Sequence, residues 1–561
     1  MRVVAFSIGH DSSVCSIKDG AVEFFCKEER LSRRKRDSSP LLSLNLFKSL
    51  NLGRIDKALY HEQNSRNTSF NIYNGFFKEH FNISVEKFSH LNHHLCHATL
   101  AFYNSKYKES LVYIADRTGS VLYNEGGIPI AAETESLYYF RENHAPKIIY
   151  KNFITTDSCK YDNNGLIKLI QDQYGSKFDI TFSGKVGLVN VYEAATSLIG
   201  QHELENGKTM GLSSYGEYDP ETCLFKNNLP NNELFELAVA PGKSNLTFHF
   251  KDHLHLINNS VNETNYQYYA NKAKQVQVET QDNVFLCLSK YLKKFNTSRV
   301  CLSGGYALNI VSNGNLIKKL PHVNFFFEPV SDDTGISIGA AIAGYNKLNN
   351  FKPILPVVLP KDNFFHYYKQ EETVNEGQLA TIDTICNLLM EQKSIAIFEG
   401  NPEVGPRALG HRSILFDPRN KNAKHIINKV KKREWYRPFA GIILEEEFQK
   451  YFHTHGLTGS EYMTINFECK EVAQNIAPGI IHVDNTCRIQ TVSQGFIYDI
   501  LTRFYEKTGC PIIMNTSFNL AGEALVQTKE DALKTLYSSS LDGVFFVQES
   551  KLILKKEVND C

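Results

Sequence analysis

Paired cysteines of the kind that clamp a metal or staple a secreted domain are missing: among twelve cysteines, the nearest two in sequence are Cys15 and Cys26. That spacing excludes CxxC ligand pairs and does not resemble a disulfide framework, so the thiols are expected to be free in a reducing cytoplasm. Net charge is missing too, with 61 Lys and Arg against 61 Asp and Glu. The whole chain therefore exerts no long-range field on polyanions, which argues against a general nucleic-acid coat. No run of about twenty apolar residues occurs, as a membrane-spanning helix would need. The opening MRVVAFSIGHDSS passes from a short apolar run straight into a polar loop, unlike an export signal. A soluble, non-exported, cytoplasmic protein without membrane partners is expected. Solenoid repeats and long low-complexity tracts are absent, and there is one tryptophan. What is present, 561 residues of which 42% are hydrophobic and 22% charged, suits two globular lobes better than one core.

Residues 3–8, 13–17 and 21–25 alternate as a three-strand meander, with a Lys18-Asp19-Gly20 turn and a loop at 9–12. A strand, loop and strand recur at 111–123, with Asp116 closing an apolar run. Such duplication resembles the actin-like superfamily, in which nucleotide sits between two related sheets. Residues 300–302 and 325–327 are further short strands, followed by SGGYALN and EPVSDDTG, loops placed to reach ligand. A small-residue helix at 335–345 precedes a proline-containing stretch at 351–360, and the domain boundary is set there, giving domains 1–355 and 356–561. Within 391–440, eleven Lys or Arg face five Asp or Glu, a local excess suited to a small anion such as a phosphate ester.

His93 and His97 stand four apart at the start of an expected helix, so their imidazoles share a face and can share a metal. Two imidazoles alone do not make a site. Asp116 and Asp332, each after a strand, are the carboxylates expected to complete it, with Asp333 the alternative to Asp332. Such a mixed shell suits divalent iron, manganese or zinc better than magnesium. Gly304 and Gly305, ahead of Asn309, let backbone N–H groups approach a phosphate or ribose, although a glycine pair is more often simple turn geometry. Lys208 in GKTMGL fits a phosphate contact or a solvated charge. His10, on the first loop, fits a general base or a residue that only bonds its loop. In the C-terminal part, EVGPRALGHRS at 403–413 reads as a helix start aiming Arg407 at an anion. In KKREWYRPF at 431–439, Lys432 reads as solvated, whereas Lys431, Arg433 and Arg437 read as a phosphate fork, with Arg437 at a helix end stopped by Pro438. Arg488 in DNTCR and Ser517 with Asn519 in NTSFN complete a cradle for a triphosphate and a carbamoyl amide.

These motifs together resemble one family, the O-carbamoyltransferases of nodulation and tobramycin type. The resemblance rests on GHDSS at 9–13, KEERLSRRK at 27–35, HHLCHA at 93–98, GKTMGLSSYG at 207–216, LSGGYALN at 302–309, SDDTGISIGAA at 331–341, EVGPRALGHRSIL at 403–415, KKREWYRPFA at 431–440, DNTCRIQTV at 484–492 and NTSFN at 515–519. The chain departs from the family pattern at Glu399-Gly400-Asn401-Pro402, where a glycine-arginine pair is usual, and at Gly441, where proline is common. The resemblance implies an α/β protein: an actin-like (ASKHA) duplicated domain similar to tRNA threonylcarbamoyl-transfer ATPases, then a YrdC-like α/β domain. It implies that the YrdC-like part makes carbamoyl-adenylate from carbamoyl phosphate and ATP, with Mg2+, using Lys431, Arg433, Arg488, Ser517 and Asn519. It implies that His93, His97, Asp116 and Asp332 hold iron or another divalent ion, and that His10 deprotonates an acceptor hydroxyl. Acceptors implied by the family are sugars, other small molecules and hydroxymethylated nucleobases, among them 5-hydroxymethylcytosine in DNA. The acceptor, and a monomeric or homodimeric state, stay open. Two other readings are a threonylcarbamoyl-type transferase acting on tRNA, and an actin-like ATPase module without transferase activity.

Overall fold

The opening strands form where the alternation places them: β1 (Arg2–Ile8), β2 (Ser13–Lys18) and β3 (Ala21–Lys27). β1 is buried along almost its whole length, because both of its faces are covered. Phe6 stacks on Phe77 of the helix Phe70–Phe81 with ring centroids 5.3 Å apart, and the helix Ile336–Leu348 packs on the same strand. A strand covered on both faces reads as a continuous apolar run. This computed structural model describes residues 1–62, 69–239, 246–252, 261–262, 264–349 and 373–555. The chain divides into two units, Met1–Phe24 with Ser38–Lys361, and Phe25–Asp37 with Asp362–Cys561. The proline-containing stretch at 351–360, where the sequence sets the domain boundary, lies outside the described residues.

In the first unit β1 runs antiparallel to β2 and parallel to β4 (Lys57–Glu62), which is parallel to β5 (Val85–Lys87), giving the order β3-β2-β1-β4-β5. The second sheet contains β6 (Glu109–Ala115), β7 (Val121–Tyr123), β8 (Pro129–Arg141), β9 (Lys147–Thr155) and β10 (Asp179–Phe182). After two hairpins, β11 (Phe225–Lys226) with β12 (Leu229–Pro230) and β13 (Phe235–Val239) with β14 (Leu246–Phe250), it is completed by β15 (Arg299–Ser303) and β16 (Asn324–Phe327). Its order is β10-β9-β8-β6-β15-β16, with β6 antiparallel to β8 and parallel to β15, and β15 parallel to β16. From β9 to β16 the order and the antiparallel-parallel-parallel pattern repeat those of the first sheet. This is the duplication expected of an actin-like α/β domain, with one correction. The antiparallel partner of β6 is the long β8; β7, which closes the 111–123 segment, only adds a short arm to β8.

The helix His93–Ser105 buries Ala98, Ala101 and Phe102 against Val112, Ile114, Tyr138, Phe140 and Cys301. It crosses the helix Ile336–Leu348 closely because residue 339 is glycine: a Cβ there would overlap the carbonyl of Cys96. That crossing brings the histidine-bearing helix against the loop after β16.

The second unit is built on a ten-stranded sheet. The strands Ile395–Phe398, Arg412–Phe416, Ile512–Ser517, Ala440–Leu444 and Thr486–Val492 lie side by side in that order at its centre. The first, second and fourth of these are buried throughout. Residues 25–37 belong to this unit through their arginines. Arg30 donates to Glu403 O at 3.1 Å; Arg33 donates to Leu525 O at 2.7 Å and Ala524 O at 3.1 Å and pairs with Asp531 at 3.1 Å.

Two local expectations are corrected here. Residues 403–411 form an irregular loop into the strand Arg412–Phe416 and not a helix start. The Glu403 carboxylate accepts the N–H groups of Leu409 at 2.7 Å and His411 at 3.0 Å, and Gly410 takes a φ of +121°, so the backbone is satisfied without helical bonds. Arg437 does not stand at a helix end either. The helix Ala423–Lys431 stops at Lys432, which adopts a left-handed φ of 52°, well before Pro438, so it is Lys431 that occupies the last turn.

Candidate functional site

The first unit brings together His93, His97, Asp116 and Asp333, whose donor atoms all lie within 4.8 Å of one another, the only such group among the described residues. Helical spacing aims both rings the same way, their centroids 5.1 Å apart. Both present Nε2. That of His93 is 3.6 Å from Asp116 Oδ2 and 3.5 Å from Asp333 Oδ1; that of His97 is 3.3 Å and 3.5 Å from the same atoms. His93 Nε2, His97 Nε2 and Asp116 Oδ2 are buried without a hydrogen-bond partner. Buried polar atoms are seldom left so. Ligands about 2.1 Å from a common divalent ion stand roughly 3.0–3.4 Å from one another, close to the 3.3–3.6 Å of the four imidazole–carboxylate pairs, so the donor set fits a metal.

The structure places Asp333 in this group, where the sequence led us to expect Asp332. Asp332 is extended, with φ −75° and ψ 175°, while Asp333 opens the 3-10 turn Asp333–Gly335, and it is the carboxylate of Asp333 that faces the histidines. Ser13 on β2 anchors that turn by donating to Thr334 O at 2.9 Å. Electrostatics in the cluster are strong. Burial lowers the proton affinity of His93, but Asp333 and Asp116 outweigh it and raise its pKa to about 10. His97 is also raised, while both carboxylates are held below their usual range by the imidazoles despite burial.

His10 joins the group from the first loop, its Nε2 3.5 Å from Asp333 Oδ2 and its Nδ1 3.0 Å from Asp11 Oδ2. Asp333 is the main cause of a pKa raised to about 9. Gly304 and Gly305 directly follow β15 and lie against the end of β6. Gly304 has a φ of +83° and no room for a Cβ against Ala115 O, and the nearest atom to a Cβ at Gly305 would be Asp116 Oδ1. Asn309 is occupied in capping, accepting from Ser312 N at 3.0 Å, and in bonds with Gln277 at 3.0 and 3.2 Å. Lys208 donates to Gln201 Oε1 at 2.6 Å and pairs with Glu205 at 2.9 Å, so its charge has protein partners.

The second unit gathers cations. Lys431 is buried and donates to the carbonyls of Ser517 and Asn519, to Ser517 Oγ at 3.2 Å and to Asn519 Oδ1 at 2.8 Å. Burial, then Arg433 and Arg437, hold its pKa well down. Arg433 is fixed by Asn428 Oδ1 at 2.7 Å, Pro438 O at 2.9 Å and the Phe439 ring, and it too is held down by burial and by Arg437 and Arg488. Arg488 is lowered by burial and then by Arg407, and its Nε has no hydrogen-bond partner. Arg437 pairs only weakly, at 3.4 Å, with Glu434. Like charges brought together out of water repel one another. A cluster assembled against such repulsion is suited to a multiply charged anion. Arg407, Lys431, Arg433, Arg437, Arg488, Ser517 and Asn519 are thus gathered within one unit, although two of the local structures expected to carry them are absent.

Several participants escaped the sequence reading. Arg117 grips Glu193 through two bonds of 3.0 and 3.1 Å beside Asp116. Below the cluster, Glu133 and Lys151 form a fully buried pair bonded to Tyr174, Tyr138 and Ser136, with His94 Nδ1 2.7 Å from Ser136 Oγ. Burial keeps His94 neutral, with a pKa of about 3. His61 touches His93. Only the doubled histidine of HHLCHA was a sequence signal for any of these.

The sequence matches the family models described as Carbamoyltransferase N-terminus over residues 56–342 and Carbamoyltransferase C-terminus over residues 386–554. It is similar to the nodulation protein NolO of Bradyrhizobium diazoefficiens, 29% identical over 81% of this chain and 77% of that one. It is also similar to the nodulation protein NolNO of Sinorhizobium fredii, 26% identical over 98% and 79%, and to the uncharacterized protein MJ1058 of Methanocaldococcus jannaschii, 28% identical over 83% and 73%. Among solved structures, a full-length HypF in its phosphate- and nucleotide-bound form shares 14% identity at a TM-score of 0.35. The match covers 61% of this chain and 55% of HypF, so the chain spans about half the length of that protein. With the N-terminal model alone covering half of the chain, this protein belongs to the carbamoyltransferase family and is a carbamoyltransferase enzyme.

Proposed function

We propose that the chain is an ATP-dependent O-carbamoyltransferase in which the second unit activates the carbamoyl group and the first transfers it. The observation that carries this reading is the presence of two chemically different sites, a carboxylate-imidazole cluster in one unit and a cluster of buried cations in the other. Lys431, Arg433, Arg437, Arg488 and Arg407 hold the phosphates of ATP and carbamoyl phosphate, and Ser517 and Asn519 orient the carbamoyl amide. There water cleaves carbamoyl phosphate to carbamate and phosphate, and the carbamate oxygen attacks the α-phosphate of ATP, breaking its bond to pyrophosphate and leaving carbamoyl-adenylate; Mg2+ accompanies ATP. In the first unit His93, His97, Asp116 and Asp333 hold a divalent ion, iron by family resemblance with manganese and zinc also suited. When bound, it supplies an electrophilic anchor for the adenylate phosphate. Gly304 and Gly305 leave the backbone open to that ligand. His10 takes the proton of the acceptor hydroxyl; its proton affinity is governed by Asp333, whose charge a cation would offset. Lys208, in the helix Asn206–Ser213, and Asn309, capping the helix Ile310–Lys319, border the nucleotide.

The acceptor is a hydroxyl of a small molecule, a sugar or a hydroxymethylated nucleobase, 5-hydroxymethylcytosine in DNA being one option. Incubation with ATP and carbamoyl phosphate is expected to release pyrophosphate; release of phosphate alone would favour a bare ATPase module. Mass spectrometry across hydroxylated nucleosides, DNA, aminoglycosides and tRNA then identifies the acceptor by the gain of one carbamoyl group, and a product on tRNA alone would favour the threonylcarbamoyl-type reading.

A further inference from the structure

A histidine outside the cluster touches one of its members. His61 is buried on β4, its Nε2 3.3 Å from Nδ1 of His93, with the rings 5.5 Å apart and inclined at 36°. His93 turns its other nitrogen, Nε2, to Asp116 and Asp333. A neutral imidazole carries one N–H and one lone pair, so a ring that gives its Nε2 lone pair to a cation keeps its proton on Nδ1. That proton faces His61 Nε2. His97 has no equivalent support, since its Nδ1 is buried without a hydrogen-bond partner. The scaffold holding His61 is firm: it lies opposite Ser7 in the parallel β1–β4 ladder, and Tyr60 beside it donates to Glu62 at 2.6 Å.

We propose that His61 is a positioning residue for the cation site, accepting the His93 Nδ1–H and thereby fixing the tautomer and ring orientation of His93. The inference rests on the reading of the cluster as a divalent-cation site. Partners of this kind set ligand basicity and direction, and their loss lowers metal affinity roughly 10- to 100-fold. They are not themselves ligands.

The test uses the full chain, stripped of metal with a chelator and titrated with Mn2+ by calorimetry, with melting curves for each variant. Wild type is expected to bind Mn2+, and H97A to lose it. His61→Phe keeps a ring in the core but offers no acceptor, and is expected to bind roughly 10- to 100-fold more weakly. His61→Gln, whose amide carbonyl can accept the same proton, is expected to recover most of that loss. Should H61F fail to fold, proton NMR of Co2+-loaded wild type carries the test through a slowly exchanging, paramagnetically shifted His93 Nδ1–H signal. Full affinity in H61F, or rapid exchange of that proton, overturns the role of His61 while leaving the cation site standing. An absence of Mn2+ binding in wild type, with no effect of H97A, overturns the cation reading itself.

Discussion

Lys431 and Asp333 define the two sites at the scale of single residues. Lys431 ends a helix, is buried, and is surrounded by backbone carbonyls and other cations, with Glu523 as a counter-charge. A cation kept in such a place is retained for what it binds. Lys431→Met keeps most of the side-chain stem, and is expected to lower pyrophosphate release by about 100-fold or more, measured in an ATP and carbamoyl phosphate assay; unchanged release would remove the residue from the activation step. Asp333→Asn is expected to strip bound metal from the purified protein, and Asp332→Asn to leave it in place, read as metal content per chain by plasma mass spectrometry. The reverse result would restore Asp332 as the ligand.

Elements explain why these residues arrive where they do. Glu328, just after β16, is fully buried and shapes the loop leading to Asp333: its carboxylate accepts from Val330 N at 2.9 Å and Asn104 Nδ2 at 3.0 Å. Burial raises its pKa to about 7 against an unperturbed value near 4.5. The protonated form is therefore favoured in the fold, so this contribution is fully present below about pH 4.5 and is lost as pH rises through 7, amounting to about 3 kcal/mol. Glu328→Gln is expected to gain stability relative to wild type across that window in denaturant unfolding, whereas parallel curves would rule the effect out. The segment 25–37 behaves as an element of the second unit. Arg33→Ala removes two bonds to carbonyls and an ion pair, and is expected to cost about 2 kcal/mol, read from the fluorescence of Trp435, which lies in that unit. A sequence reading could find the strands, because apolar runs such as those in β1 and β6 announce themselves, and it could find HxxxH, because helical spacing alone aligns the two rings. It placed a helix at 403–413 because proline and glycine there imitate a helix start, and could not foresee that the Glu403 carboxylate satisfies the loop instead. It preferred Asp332 to Asp333, and the structure brings in Asp333, since one residue of phase in a turn decides which carboxylate points inward. His61 stayed hidden because its partner is thirty-two positions away.

The whole molecule pairs a duplicated α/β unit carrying a carboxylate-imidazole cluster with a second α/β unit carrying a cluster of cations. This division of labour is the central claim, and it predicts that the two half-reactions separate by mutation. The direct measurement is a single assay of the full chain with ATP, 14C-labelled carbamoyl phosphate and a competent hydroxyl acceptor, following pyrophosphate and labelled product together in wild type, His97→Ala and Lys431→Met. H97A is expected still to release pyrophosphate but to form almost no carbamoylated acceptor, and K431M to do neither. Labelled product forming in K431M at the wild-type rate, or without any pyrophosphate, would contradict that division of labour.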